Sequence, residues 1–237
     1  MTCPTVMRAV VFDFFGTLTD PSAEALRRAS FAGAAAALGV PAEDFWAAMA
    51  GSFPRRIVGA FGGTRSTLRA IAEQCGVSPS PAQLDQAVAA QHAGAELVRR
   101  PRPGVLPVLD LLRASGFRLG LVSDCSSELV EGWATTEFAS RIDAPVFSWQ
   151  EGCRKPDPRL YAAVSDRLGV PPAACWYVGD GGSREIQGSL AAGMRPILVT
   201  NLAYPSAAAH RTDPDSLIPE LTVDDVAELP ALMLDRG

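Results

Sequence analysis

A strand that ends in a carboxylate is the chain's most reactive-looking feature. Residues 10–19 read Val-Val-Phe-Asp-Phe-Phe-Gly-Thr-Leu-Thr, which delivers Asp13 onto a Gly-containing turn and puts Phe15 where a second acid would stand beside it. A carboxylate at the end of a buried strand, next to the free N–H groups of a tight turn, can act as a nucleophile or hold a cation. Three other polar segments carry possible partners: Ser123-Asp124-Cys125-Ser126, Cys153-Arg154-Lys155-Pro156-Asp157-Pro158 and Gly179-Asp180-Gly181-Gly182-Ser183-Arg184-Glu185. Asp13 and Asp180 supply hard oxygen ligands of the kind Mg²⁺ takes. Ser123 and Lys155 supply an O–H donor and a compact positive charge for an oxyanion. Together they describe a phosphate clamp, in which a metal offsets the repulsion between an attacking carboxylate and a phosphoryl dianion.

Lys155 stands out by composition as well. Of 21 basic residues, 20 are Arg and only Lys155 is Lys. Guanidinium is a broad planar fork, whereas an ammonium on a thin stem enters a narrow site. A chain that uses Arg wherever any cation serves would keep Lys where the fork does not fit.

These residues must be brought together by the elements around them. Residues 9–12, 119–122, 175–178 and 196–199 are short aliphatic runs that predict strands, and 105–115, 158–168 and 184–192 between them have helical periodicity. Alternation of this kind predicts a parallel sheet covered on both faces, with ligands at the carboxyl ends of the strands. Between the first two strands the pattern changes to Ala-rich helical stretches at 23–38, 43–49, 67–75 and 81–99, separated by Gly- and Pro-containing breaks. The Arg-Pro-Arg-Pro-Gly segment at 100–104 then reads as a stiff linker. The expectation is an α/β fold: a Rossmann-like core at 1–20 and 101–237, with an all-helical insertion at 21–100 placed as a cap over the site. The aliphatic run near 226–234 is expected to pack at the edge.

Composition excludes several classes. The chain has 237 residues, 48% apolar content and a net charge of −5, so it can build a core. Without a basic run, nucleic acid is not an expected partner. No stretch reaches the roughly 18 to 20 apolar residues of a membrane span, and the first residues lack a charged leader with an apolar segment, which predicts a cytoplasmic protein. Cys3, Cys75, Cys125, Cys153 and Cys175 are odd in number and scattered, which fits free thiols in packing roles. His92 and His210 have no partner at informative spacing.

The ordered set resembles the haloacid dehalogenase-like hydrolase superfamily over nearly the whole chain. The matches are Phe12-Asp13-Phe14-Phe15-Gly16-Thr17-Leu18, Gly120-Leu121-Val122-Ser123-Asp124, Lys155-Pro156-Asp157-Pro158 with Tyr161, and Tyr177-Val178-Gly179-Asp180 with Glu185. The resemblance implies Asp13 as covalent nucleophile and Ser123 and Lys155 as phosphate anchors. It also implies Mg²⁺ on Asp13, Asp180 and the backbone carbonyl of Phe15, with Glu185 orienting a metal water or Lys155. Phe14, Phe15 and Asp124 fall in the substrate-binding turns. Arg55 and Arg56, in the insertion, are candidates to meet an anionic group across the crevice.

Phe15 departs from the phosphatase pattern, where an Asp protonates the leaving group and activates water. General acid–base help is worth about 10² to 10⁴ in rate. The first expectation is therefore a Mg²⁺-dependent phosphoryl hydrolase acting on a small anionic substrate with a good leaving group, as monomer or homodimer. The second is a metal-independent 2-haloacid dehalogenase, whose members also carry an aromatic residue at this point. The third is a regulatory protein that kept the fold without turnover.

Overall fold

The computed structural model describes residues 8–204, 207 and 211–234. Apolar runs too short for helices become strands: β1 (Ala9–Phe12), β2 (Arg118–Ser123), β3 (Ala144–Phe147), β4 (Cys175–Gly179), β5 (Arg195–Val199) and β6 (Leu221–Val223). They form one parallel sheet in the order β3-β2-β1-β4-β5-β6. Strand order reverses between β1 and β4, so the crevice that opens at their carboxyl ends is a topological switch point. Asp13 and Asp180 follow those two strands directly. β3 and β6 extend the four strands expected from the sequence: β3 contains Pro145 and β6 has three residues, too little pattern to register as strands.

β1 is buried throughout and its side chains alternate between faces. Val10 and Phe12 pack with α5 (Val105–Ala114), while Ala9 and Val11 join the cluster of α8 (Pro158–Leu168). Gly120 on β2 lies against α8, where a Cβ would come within 2.6 Å of Val164. That close approach requires glycine.

Between β1 and β2 the described residues hold no strand. Two short 3-10 turns, Pro21–Leu26 and Ala29–Phe31, lead into α1 (Ala32–Leu38), α2 (Ala42–Arg56), α3 (Thr64–Gln74) and α4 (Pro81–Val98). The single helix expected over 23–38 is thus broken, because Ser30 turns its hydroxyl back onto the Arg27 carbonyl. α2 runs seven residues beyond the expected end, carrying Pro54 inside it. These helices share an apolar cluster of their own that includes Phe31, Leu38, Phe45, Met49, Leu68 and Ile71. The outgoing and returning chains lie side by side: Thr19 bridges Pro101, the Asp20 N–H donates to the Arg100 carbonyl at 2.9 Å, and the Arg102 N–H donates to Leu18 at 2.9 Å.

After β2 come α6 (Ser127–Gly132) and α7 (Ser148–Glu151), and after β4 comes α9 (Glu185–Ala191). The terminal α10 (Leu229–Leu234) packs onto α5 and buries Leu229 and Met233 in the core cluster. No described helix is long and apolar enough to cross a membrane.

Candidate active site

Asp13 continues the β1 ladder through its N–H, which donates to the Val178 carbonyl at 2.9 Å. Its carboxylate is then held from both sides: Lys155 Nζ donates to Oδ1 at 2.6 Å, and Thr17 Oγ1 donates to Oδ2 at 3.1 Å. Lys155 Nζ also donates to Glu185 Oε2 at 2.5 Å. The ammonium thus ties the end of β1 to the start of α9. Its own backbone N–H donates to Asp124 Oδ1 at 3.0 Å, so Asp124 positions the lysine loop. Asp157 caps α8 by accepting from the Arg159 N–H, which fixes where that loop ends.

Asp180 sits across the crevice. The Gly182 N–H donates to its Oδ1 and Arg211 Nε to its Oδ2, both at 3.1 Å. A Cβ on Gly16, whose φ is +77°, would fall 2.8 Å from Asp180 Oδ2. Only glycine therefore lets the first turn approach this carboxylate. Among the described residues, Asp13, Asp180 and Glu185 each offer an oxygen within 4.8 Å of the others.

Four carboxyl groups, Asp13, Asp124, Asp180 and Glu185, face two cations, Lys155 and Arg211, around this crevice. Burial alone would push Lys155 down, but Asp13 and Glu185 outweigh it and hold the ammonium well above the usual lysine range. Burial and then the Asp13 charge push Glu185 up to about 8, and the same two causes raise Asp180 to about 6. Lysine is therefore the fixed charge of the cluster, and it only partly sustains ionisation of Glu185. A raised carboxyl keeps in the folded state a proton that the unfolded chain releases, so stability falls as pH rises between the two pKa values. Without added metal, the melting temperature is expected to decline from about pH 5 to 8, and Glu185→Gln should flatten that decline. A flat parent profile, or the same slope in the variant, contradicts this assignment.

A cavity of about 310 Å³ opens over these groups, walled on one side by Asp13, Phe15, Asp124, Lys155 and Asp180. Its other wall comes from the helical insertion and includes Trp46, Phe53, Arg56 and Arg99. Phe15 meets Phe14 edge-on at 5.0 Å, and the Arg27 guanidinium lies 4.8 Å over its ring. Arg27 is closed in turn by Glu24, at 2.7 and 2.6 Å.

Several expectations need correction. Phe14 is buried in the sheet core against Phe138 and Trp133 and is not among the residues that line this cavity, so its side chain does not face a substrate bound there. Ser123, the last residue of β2, is fully buried and is not among the residues that line the cavity, and its hydroxyl has no partner among the described residues. Glu185 has both oxygens engaged, Oε1 by the Gly181 N–H at 2.9 Å and Oε2 by Lys155 and Tyr177, which leaves it a supporting rather than a direct place at a metal. Arg55 is exposed and stacks on Phe61 at 4.6 Å, outside the cavity, whereas Arg56 lines it. Neighbouring helical residues point about 100° apart, so only one of the pair could face inward. Trp46 and Phe53 line the cavity, while Phe45 packs in the insertion's cluster. Cys125 is buried, with its thiol pushed up by burial. His92 pairs with Glu131 at 3.1 Å; Cys3 and His210 lie outside the described residues. Sequence reasoning missed Arg27, Arg99, Glu128 and Arg211, all of which line the cavity.

Comparison with known proteins gives a consistent frame. Residues 7–193 match the family described as haloacid dehalogenase-like hydrolase. A glyceraldehyde 3-phosphate phosphatase of Methanopyrus kandleri is 32% identical over 160 residues, 65% of each chain. A phosphoglycolate phosphatase of Xylella fastidiosa is 33% identical over 128 residues, 49% of each chain. The match thus spans about half to two thirds of the length of these curated relatives. Among solved structures, a 2-haloacid dehalogenase from Pseudomonas syringae pv. Tomato DC3000 superposes with a TM-score of 0.69 at 27% identity, covering 98% of this chain and 100% of that one.

Proposed function

Since the chain belongs to the haloacid dehalogenase-like hydrolases, we propose that it hydrolyses a small phosphorylated metabolite through an aspartyl-phosphate on Asp13. The observation that carries this reading is the convergence of Asp13, Asp180 and Glu185, with Lys155 bonded to the first and the third. Their carboxyl groups outnumber the fixed cations, and burial, then the Asp13 charge, pushes two of them up. Such a donor set fits a hard divalent cation. Asp13 and Asp180, with the Phe15 carbonyl, would hold Mg²⁺, and a bound Mg²⁺ supplies charge that screens an approaching phosphoryl dianion.

In the proposed reaction, an Asp13 oxygen bonds to phosphorus as the bond to the leaving oxygen breaks and the leaving group keeps the electron pair. Water then attacks phosphorus, which releases phosphate and restores the carboxylate. Lys155 fixes the direction of attack by holding Oδ1 while Thr17 holds Oδ2. Residues 21–100 form the cap in this reading, with 1–20 and 101–237 as the core, and the cap wall excludes bulk water from the reacting groups. Phe15 offers no proton to the departing oxygen, so acyl and aryl phosphates are favoured over alkyl phosphates.

The alternative, displacement of halide from a 2-haloacid by Asp13, is favoured by one contact. Arg211 already places a cation on Asp180 without any metal. Phosphate release from acetyl phosphate and p-nitrophenyl phosphate, measured with Mg²⁺ and with excess chelator, should require the metal. Chloride release from 2-chloropropionate that ignores the chelator would replace the phosphatase reading.

Phe15→Asp should restore a proton donor. General acid catalysis gives about 10² to 10⁴ in rate, but Arg27 beside this position favours the ionised carboxylate. A gain of about 10²-fold in kcat on alkyl phosphates, with little change on aryl phosphates, is expected. Equal gains on both would mean that the substitution acts on something other than the leaving group.

A further inference from the structure

The insertion's wall of the cavity holds a guanidinium with nothing to bind. The Arg99 side chain is 3% exposed, and Nε, Nη1 and Nη2 all lack a hydrogen-bond partner among the described residues. Among the described residues its one carboxylate contact is Glu96 at 3.6 Å, beyond hydrogen-bond length, and Glu96 is itself 66% exposed. Arginine cannot shed its charge to escape burial, so an unpartnered buried guanidinium is tolerated best where an anion completes it.

Arg56 adds a second such charge. It is 5% exposed and donates only to neutral acceptors: Ser52 Oγ at 3.2 Å, the Met49 carbonyl at 3.1 Å and Ser126 Oγ at 3.0 Å. Those bonds orient the fork without neutralising it. Both arginines feel the carboxylate of Glu128, which accepts from Gln91 Nε2 at 3.1 Å. Glu24 and Arg27 cancel one another. Two cations against one carboxylate leave a single positive charge, which suits a monoanion better than a second phosphoryl dianion. The aromatic wall of Trp46, Phe31 and Phe53 and the volume of about 310 Å³ admit only a short carbon skeleton.

We propose that Arg99, assisted by Arg56, binds a carboxylate of the substrate, so that the enzyme acts on short phosphorylated organic acids. This rests on the reading of Asp13 as the reacting end of the cavity. Bidentate capture of a carboxylate by a buried guanidinium makes charge-assisted hydrogen bonds that discriminate about tenfold or more against a methyl group in its place.

The test compares phosphonoacetate with ethylphosphonate, which carries a methyl where the first has its carboxylate, by calorimetric titration in Mg²⁺. The parent should bind phosphonoacetate about tenfold more tightly or better. Arg99→Met should lose that preference while holding ethylphosphonate within about threefold of the parent, Arg99→Lys should retain part of it, and Arg55→Met should change neither. Circular dichroism melts confirm folding, and Arg99→Lys carries the test should Arg99→Met not fold. Equal affinities in the parent, an unchanged preference in both Arg99 variants, or no binding of either ligand would overturn the proposal. A preference that persists in an enzyme without phosphatase activity would overturn the reaction proposed for Asp13 and leave the carboxylate site standing.

Discussion

Replacing Asp13 by Asn is expected to lower phosphate release from aryl and acyl phosphates by about 10⁴-fold or more, the scale on which loss of a covalent nucleophile is felt. That is about 5 kcal/mol of transition-state stabilisation. Asn keeps the shape of the group. Its carbonyl can still accept from Lys155 in the place of Oδ1, and its amide can donate to Thr17 Oγ1 in the place of Oδ2. The strand bond from residue 13 to Val178 involves only the backbone. What Asn lacks is the anionic lone pair that attacks, so the loss should fall on kcat while the fold stays intact. Relief of crowding among Asp13, Asp180 and Glu185 should raise the melting temperature above pH 7. A variant that keeps a tenth of parental activity would remove Asp13 from the nucleophile's role.

The residues that were readable in the sequence are those fixed by strand ends. Asp13 and Asp180 directly follow β1 and β4, so a short continuous apolar run ending in an acid beside a Gly-containing turn locates them without any tertiary information. Lys155 was marked by composition alone, and its burial against two carboxylates accounts for the survival of a compact ammonium in an arginine-rich chain. The helix phase of α2 separates Arg56 from Arg55 only once the helix is seen to continue past 49, where the sequence pattern ended it. Phe45, Ala48, Met49, Ser52 and Arg56 are its buried residues, and that stripe includes Arg56 and omits Arg55.

Other groups carried no local signal. Arg99 is the last residue of an expected helix, beside the linker at 100–104, with no pattern that aims it at the site; only the folding of α4 against α6, with the guanidinium close to Gly132, makes it a cavity residue. Arg211 lies in a Pro- and Asp-rich stretch and reaches Asp180 from a loop 31 positions away. The immediate surroundings of Ser123 and Glu185 were not legible for a related reason. Spacing along the chain placed them near the site, but whether a side chain faces the cavity or a neighbour depends on packing, and Gly181, Tyr177 and Lys155 saturate Glu185 first.

Lys155→Met should be the most damaging change to the fold as well as to the reaction. Removing one partner of a buried ion pair costs about 3–5 kcal/mol, because the charge left behind has neither water nor counter-ion. Here two carboxylates are left, Asp13 and Glu185, with oxygens 2.6 and 2.5 Å from the missing ammonium. Methionine fills the volume but cannot donate. Glu185, already pushed up to about 8, would rise further without the cation. The folded variant would then hold that proton to higher pH than the folded parent does, so the stability deficit should grow from pH 7, where Glu185 is protonated in both, to pH 9, where only the parent has released it. Urea unfolding at both pH values measures this. The added change Glu185→Gln should recover part of the loss at pH 9 and little at pH 7, since at the lower pH the carboxyl is already neutral. Equal deficits at the two pH values would mean that lysine supports the fold by packing and not by charge. Arginine should not rescue the variant, because its planar fork must fit where Tyr177, Glu185 and Asp13 leave room for an ammonium on a single stem.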